Sequence, residues 1–399
     1  METTTGASVN RIESIDLLRG VVMIIMALDH VRDYFHVDSF LHNPTDIEHT
    51  TLGLFITRWI THLCAPTFIF LAGTSAYFIA KRKSKMETSF FLITRGIWLI
   101  VLQFTLIRFA WNFDPMFHYQ SNTIISVIGI CMILLSALIH FRLSILLFIG
   151  ISMVVFHNAF DGISFRNGTS ADVIWSLLHV SKTFNLGDDY IFSVVYPIIP
   201  WIGVMALGYC VGCLYNVNYP TEKRKRILRS LGSVSILIFI VLRFVNIYGD
   251  PVTWTAQTSL VKTFMSFFNL TKYPPSLFYL TATLGISLHL LAWIDAKNFD
   301  KWKAISLFGK VSLFYYVLHL YVIHLLAVLA AVLSGLPWQS MVFLGSISKG
   351  SPMLIGNYGF WLGTIYFIWI CIVIGLYPIC DWWYTLKIRN KQKWWVSYV

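Results

Sequence analysis

The first long apolar segment, SIDLLRGVVMIIMALDHVRDYF, contains several residues able to do chemistry. Arg19 and His30 are eleven residues apart, about three helical turns, so both side chains fall on one face ~16 Å apart along the axis. An arginine binds phosphate as a planar cation, and an imidazole serves as a general base or an acyl acceptor. This spacing suits an enzyme that holds acyl-coenzyme A along the helix. The purely structural alternative is an Asp16–Arg19 pair beside one hydrogen-bonded core histidine.

Two carboxylates accompany His30 and are candidates to orient its ring. Asp33 lies one turn further on, whereas Asp29 is adjacent in sequence but about 100° around the helix. We therefore predict catalytic roles for His30 and Asp33, with Asp29 as the alternative orienting group if the helix unwinds at its outer end.

Two further apolar segments add polar groups at a similar predicted depth. Around the segment THLCAPTFIF, Arg58 and His62 are four residues apart and share one helix face, and we predict that they bind the acceptor. Pro66 in the same segment predicts an interruption of the backbone hydrogen bonds. In the segment FGKVSLFYYVLHLYVIHLL, Lys310 near the inner end is a weaker second donor-binding candidate, and mid-membrane His319 is a substrate-binding candidate.

The remaining candidates have strong structural alternatives. Trp201 could stack on a sugar ring, although anchoring at the membrane interface is the favoured explanation. Cys210 and Cys213 form a CxxC inside an apolar helical run, where two small helix residues are expected rather than a metal or redox site. The histidines are dispersed over many segments, so we predict no metal site; one made from His30, His62 and His319 is not favoured.

The elements that must position these residues are membrane-spanning helices. Of the 399 residues, 57% are hydrophobic and only 12% are charged, against about 25% charged in a soluble domain. The fold is therefore predicted to be an all-α polytopic bundle forming a single domain over 1–399, with amphipathic outer-surface stretches within 158–190 and 249–274. About ten spans are predicted, at 14–34, 54–80, 89–110, 122–141, 143–157, 191–215, 228–248, 275–295, 305–333 and 353–380.

The distribution of basic residues predicts the orientation of this bundle. With the N-terminus in the cytosol, the inner segments hold 18 Lys and Arg, whereas the outer loops hold five. This asymmetry follows the positive-inside rule and predicts that both termini are cytosolic. The same clustering makes membrane topology a better explanation of the net charge of +11 than nucleic-acid binding.

Four segments resemble the bacterial branch of the heparan-α-glucosaminide N-acetyltransferase family, within the wider transmembrane acyltransferase superfamily. They are RIESIDLLRGVVMIIMALDHVRDYF, THLCAPTFIFLAGTSAYF, YPIIPWIGVMALGYCVG and FGKVSLFYYVLHLYVIHLL. The resemblance covers roughly 15–80, 191–215 and 305–330, and the opening motif also matches the Arg–ten–His pattern of related O-acyltransferases that modify surface polysaccharides. It implies transfer of acetyl groups from cytosolic acetyl-CoA to sugars across the membrane, with His30 catalytic and Arg19 supporting it.

The lysosomal members of that family differ in one respect, since their catalytic histidine aligns with the loop after the first helix. Here that loop offers His36, His42 and His49, and each stays an alternative to His30 as the base. The resemblance selects neither a particular acceptor nor N- rather than O-acetylation.

Two functions follow from these residues. The favoured one is an acetyl-CoA-dependent acyltransferase of the bacterial inner membrane, acting on an extracytoplasmic sugar or glycan. The alternative is a proton-coupled carrier that uses the intramembrane His, Arg and Asp residues as a relay. The expected partners are acetyl-CoA, the sugar or polysaccharide acceptor and membrane lipid, and the sequence is compatible with a homodimer.

Overall fold

The structure is a computed structural model that describes residues 12–187, 189–295, 299–347, 350–393 and residue 396. The N-terminal residues placed in the cytosol, Arg11 among them, and the loop residues Lys297 and Lys349 lie outside the described residues. The conclusions below concern the described part of the chain.

Helices dominate the described chain. In order they are α1 (Glu13–Phe35), α2 (Leu52–Thr61), α3 (Cys64–Ala80), α4 (Lys85–Leu102), α5 (Arg108–Asn112), α6 (Ile124–Leu138), α7 (Leu143–Phe156), α8 (Ser170–Leu178), α9 (Ile198–Val211), α10 (Thr221–Val245), α11 (Leu260–Phe268), α12 (Leu277–Ile294), α13 (Lys303–Lys310), α14 (Ser312–Leu333) and α15 (Leu362–Arg389). The strands are β1 (Tyr119–Asn122), β2 (Lys182–Asn185) and β3 (Ile191–Val194). A π-helical turn, Gln103–Ile107, joins α4 to α5.

The protein is a helical polytopic membrane protein. Eight continuous helical runs are long and apolar enough to cross a bilayer, and a helix overlaps each of the ten predicted segments. The two segments beyond the eight are α1, which carries six charged residues, and α6, which has 15 residues. A bilayer core of ~30 Å asks for about 20 residues of apolar helix.

Two predicted boundaries need correction, and a small sheet accompanies the helices. The predicted span 191–215 begins as strand β3 and becomes helical only at Ile198, after Pro197. The last helix runs from Leu362 to Arg389 rather than over 353–380. A three-stranded sheet of order β1-β3-β2 forms between outer segments, with β1 parallel and β2 antiparallel to β3. Its strands have four residues each, too short for a clear alternation in the sequence.

The interruption predicted from Pro66 is a break at residues 62–63 between α2 and α3, and Pro66 itself lies in the first turn of α3. Proline has no amide hydrogen, so the carbonyl of His62, four residues earlier, loses its helical donor. The Tyr279 hydroxyl of α12 donates to that carbonyl at 2.9 Å. The break separates α2, which carries Arg58, from α3.

Helix α1 is the centre of the bundle and packs against α2, α3 and α12 to α15. Its approach to α13 requires glycine on both helices, because a Cβ at Gly20 would lie 2.0 Å from the Ile305 carbonyl oxygen. A Cβ at Gly309 would likewise lie 1.9 Å from the Asp16 carbonyl oxygen. This contact fixes the end of α1 that carries Arg19 against the helix that carries Lys310.

Candidate functional site

A cavity of about 620 Å³ opens beside the C-terminal end of α1. We call it the outer cavity, after the side on which the predicted orientation would place it. His30 is one of its lining residues and is itself 7% exposed. The wall is shared by α1, the loop that follows it, α2, α5, β1 and the segment before α12. Charged and titratable lining residues are Asp29, His30, Arg32, Asp33, His36, Asp38, His42, Arg58, Arg108, Tyr119, Tyr196, Lys272, Tyr273 and Tyr316.

His30 and His319 form a hydrogen-bonded imidazole pair. His30 Nδ1 lies 2.8 Å from His319 Nε2, and His319 Nδ1 lies 2.6 Å from the Tyr315 carbonyl oxygen. A carbonyl only accepts, so His319 Nδ1 must carry the hydrogen, and the Nε2 of a neutral His319 is then an acceptor. His30 Nδ1 must therefore donate, which leaves the Nε2 of a neutral His30 with an unprotonated lone pair. Nε2 has no partner among the described residues.

Aromatic side chains hold this pair from both sides. The Trp111 ring meets the His30 ring edge-on at a centroid distance of 4.7 Å, and the Tyr316 ring does so at 6.1 Å. The Tyr315 ring stacks on His319 at 4.9 Å. Because these rings restrict rotation of both imidazoles, the direction of the His30 lone pair is fixed by packing as well as by hydrogen bonding.

Asp29 and Asp33 belong to a charge network beside His30 and do not contact its ring in the structure. Arg58 Nη1 donates to both Asp29 oxygens at 2.8 and 2.7 Å, and the Thr61 hydroxyl donates to one of them at 2.7 Å. Arg32 Nη2 donates to Asp33 at 2.5 Å, while its Nη1 lies 2.6 Å from Asp29 as an ion pair without hydrogen-bond alignment. The expected orienting contact from Asp33 is thus replaced by His319, because both carboxylates are held by arginines.

A second cavity of about 410 Å³ lies towards the N-terminal end of α1, and we call it the inner cavity after the same predicted orientation. Arg19 and Lys310 both line it. Arg19 donates to Asp16 at 3.1 Å, as the spacing suggested, and to the Ser75 hydroxyl at 2.8 Å. The Lys310 ammonium lies 5.5 Å from the centroid of the Tyr384 ring.

The two cavities have a common wall. Met26, Phe68, Ile124 and Tyr316 line both of them. Three of these side chains are apolar, and the wall is a single layer of residues at that point. A thin chain passing between them would join the Arg19 side of the bundle to the His30 side.

Among the predicted substrate-binding residues, only Arg58 lines the outer cavity directly. His319 is fully buried behind His30. His62 is buried at the bend before α3, where its ring meets Tyr279 edge-on at 5.3 Å. Trp201 is 0% exposed and packs on Tyr196 at 5.6 Å, so the structure does not bring it to the cavity.

The alternative bases of the loop after α1 occupy three different environments. His36 and His42 line the outer cavity, whereas His49 does not. Burial lowers the pKa of His36 below its ordinary value, although the Asp38 carboxylate 3.9 Å away acts in the opposite direction. The Asp38 amide donates to His36 Nδ1 at 3.2 Å.

His42 and His49 stack at 4.0 Å near the cavity mouth. Asp46 lies 2.9 Å from His49 Nδ1, and that hydrogen bond lowers the pKa of the Asp46 carboxyl. Together His42, Asp46 and His49 are a group with spacing that would fit a metal ion, a feature the dispersed histidines did not suggest.

The sequence matches a known protein family over more than half of its length. Residues 11–245, more than half of the chain, match the family described as heparan-alpha-glucosaminide N-acetyltransferase, catalytic. The chain belongs to this family. The predicted resemblance is therefore confirmed, and the protein is an integral membrane protein of an acetyltransferase family. A comparison with curated proteins found no match.

The match to the acetyltransferase family includes α1 to α10 and ends before several residues of the two cavities. His319 and Lys310 lie beyond it, as does Lys272, which the sequence presented only as one of five basic residues in outer loops. Arg32 and Arg108 lie within it, and the sequence analysis did not select either of them. Intramembrane position alone was the signal that could have identified them.

The six cysteines are free thiols in the structure. Cys210 is buried in α9, and Cys213 follows in the short 3₁₀ turn that ends this helix. Neither residue lines the outer or the inner cavity.

Proposed function

We propose that the protein transfers an acetyl group from acetyl-CoA, bound in the inner cavity, to a sugar or glycan acceptor in the outer cavity. Membership of the acetyltransferase family supports the reaction class. The inner cavity supports the donor site, since Arg19 and Lys310 supply cations of the kind that bind phosphate. The pantetheine arm would pass the common wall with its thioester end towards His30.

The observation that carries the proposal is the hydrogen-bond chain from the Tyr315 carbonyl through His319 to His30. It selects the His30 tautomer with a lone pair on Nε2. A base of that kind must lie within hydrogen-bond reach of the proton it removes. The lining position of His30 allows an acceptor in the outer cavity to reach it.

The reaction then needs no further reagent. His30 Nε2 takes the proton of the acceptor hydroxyl or amine as the acceptor atom attacks the thioester carbonyl. The carbon–sulfur bond breaks, and the coenzyme A thiolate receives the proton from His30. His319 accepts a hydrogen bond from Nδ1 throughout and so stabilises the imidazolium formed between the two steps.

We further propose a single domain over 1–399 in a bacterial inner membrane, with both termini and the inner cavity on the cytosolic side. The excess of basic residues in inner segments supports this orientation. A cysteine placed at Ser84, at the start of α4, should be labelled by an impermeant maleimide only after the membrane is opened. Labelling of intact cells would reverse the orientation.

Purified protein in liposomes with radiolabelled acetyl-CoA tests the reaction. The expected result is transfer of label to an added glycan fraction, or hydrolysis of the acetyl-CoA thioester. Flux of a solute without loss of acetyl groups would instead support the carrier, for which the described residues offer no separate observation.

Four single alanine variants, at His30, His36, His42 and His49, locate the base. His30→Ala should lower kcat by at least ~10²-fold, because general base catalysis contributes about that much, while acetyl-CoA binding is kept. The three loop variants serve as matched controls and should retain turnover. Near-normal turnover of His30→Ala beside one inactive loop variant would move the centre into the loop.

A further inference from the structure

Two cations of the outer cavity belong to largely buried side chains and make no direct ion pair with a carboxylate of the described residues. The first is Arg108 of α5, which is 4% exposed. Its guanidinium donates to Asn112 at 3.0 Å and to the Ser121 hydroxyl, and it lies over the Tyr119 ring at 5.1 Å. All of these partners are neutral, and Nε is buried without a hydrogen-bond partner.

The second cation is Lys272, in the segment before α12, which is 9% exposed. Its ammonium lies 5.2 Å from the centroid of the Tyr273 ring, and it makes no ion pair or side-chain hydrogen bond in the described chain. A buried ammonium is costly without a hydrogen-bonded counter-charge. Burial alone would raise the pKa of Tyr273, but the positive charges of Lys272 and Arg58 outweigh it and lower that pKa.

The other charges of the cavity are already paired with one another. Asp29 holds Arg58 and Arg32, and Asp33 holds Arg32. Asp38 is the one further carboxylate of the lining, and it faces His36 at 3.9 Å. Arg108 and Lys272 therefore leave the cavity with a positive excess, built from residues on two separate elements.

Tyr196 and Tyr273 provide a surface on which a sugar ring can lie. Both line the cavity, and their rings meet edge-on at 5.1 Å. Tyr196 is held in place through Asn122 of β1, which donates to the Tyr196 carbonyl at 2.8 Å and accepts from the amide of Val195. The sheet thus links the wall that carries Ser121 and Arg108 to the wall that carries the tyrosines.

We propose that the acceptor is an acidic saccharide whose carboxylate or phosphate group binds at Arg108 and Lys272. This inference rests on the proposed function for the identity of the acceptor, but the anion site itself can be measured without turnover. The anion would supply the buried cations with the counter-charge that the chain does not. It would also place the neighbouring hydroxyl or amine of the same ring towards His30.

Calorimetric titration of the full-length protein in nanodiscs tests the site with four probes. Sodium D-glucuronate is compared with its neutral methyl ester, and D-glucose 6-phosphate with D-glucose. The acidic member of each pair should bind about 10- to 100-fold more tightly, the range of one hydrogen bond to a charged group. The pair with the larger ratio distinguishes a carboxylate from a phosphate.

Lys272→Met should remove most of this discrimination, and Lys272→Arg should restore it. Lys262→Met is the matched control, since Lys262 lies in the same outer segment but pairs with Glu48 outside the cavity. Arg108→Gln should also weaken the acidic probes, with thermal unfolding measured alongside to confirm that it folds.

Equal binding of acidic and neutral probes to the wild-type protein would overturn the proposal, as would no detectable binding of either acidic probe. Discrimination that survives in Lys272→Met would overturn it too. The same preparations are assayed for consumption of acetyl-CoA. Acid selectivity without acetyl transfer would refute the proposed reaction and leave the anion site, whereas transfer without selectivity would refute the site alone.

Discussion

Replacing His319 with phenylalanine tests whether this residue sets the tautomer of His30. The phenyl ring can keep the stacking on Tyr315 but removes the acceptor that lies 2.8 Å from His30 Nδ1. The base-competent tautomer would then carry a buried donor without a partner, which costs about 1–3 kcal/mol. The other tautomer, with its hydrogen on Nε2 facing the cavity, avoids this cost. The base form becomes correspondingly rare.

That cost corresponds to a loss of about 5- to 150-fold in kcat, since each 1.36 kcal/mol is tenfold. The KM for acetyl-CoA should stay unchanged, because Arg19, the proposed donor-binding residue, lines the other cavity. His319→Gln can place an amide oxygen near the position of Nε2 and should recover much of the rate. In the double variant with His30→Ala, the loss should equal that of His30→Ala alone, since His319 acts only through His30.

Steady-state kinetics of the four variants at saturating acetyl-CoA measure these outcomes. A turnover number of His319→Phe within twofold of the wild type would show that the pair has no role in catalysis. Losses that multiply in the double variant would show that His319 acts on the reaction by a separate route.

Three further predictions concern binding and stability. Arg19→Ala should raise the KM for acetyl-CoA about tenfold with kcat kept, because one charge-assisted contact is lost. Lys85→Ala, on the surface, should leave this KM unchanged. Equal KM values for the two variants would remove Arg19 from the donor site. Gly309→Ala should lower stability by about 1–3 kcal/mol in detergent melts, because its Cβ would meet the Asp16 carbonyl of α1, while Gly375→Ala, with open space around it, should not destabilise. Burial lowers the pKa of His36, so the unfolded chain binds the proton first and stability is lost as pH falls below ~6.5. His36→Asn can still accept the hydrogen bond from the Asp38 amide, and it should lose less stability than the wild type between pH 7.5 and 5.5. An equal loss of stability in the two proteins would contradict this.

Local pattern was sufficient for the parts of the fold that depend on neighbours in sequence. Apolar length predicted the helices, and the missing amide hydrogen of Pro66 predicted the break before α3. Eleven-residue spacing placed Arg19 and His30 along one helix, and each lines a cavity at its own end of α1.

Contacts between distant segments could not be predicted in this way. The partner of His30 is 289 residues away, and no pattern within either helix specifies that pairing. Asp33 had the correct spacing to reach His30, but Arg32 holds it, and this competition is decided by side-chain positions. Lys272 lies in a loop without periodicity, and the sheet pairs β1 with a strand about seventy residues further along the chain.

The layer of Met26, Phe68, Ile124 and Tyr316 between the two cavities bears on the energetics of transport across the membrane. With a hydroxyl acceptor, the acetyl group leaves the inner side and replaces the acceptor's proton, so in charge terms an acetyl cation moves outward. The acceptor's proton ends on the coenzyme A thiol, which returns to the inner side. One positive charge thus moves in each direction. A net charge would couple the rate to voltage at about 2.3 kcal/mol per 100 mV, but this exchange is electroneutral. On the proposed reaction, a de-energised cell would continue to acetylate its acceptor for as long as acetyl-CoA lasts.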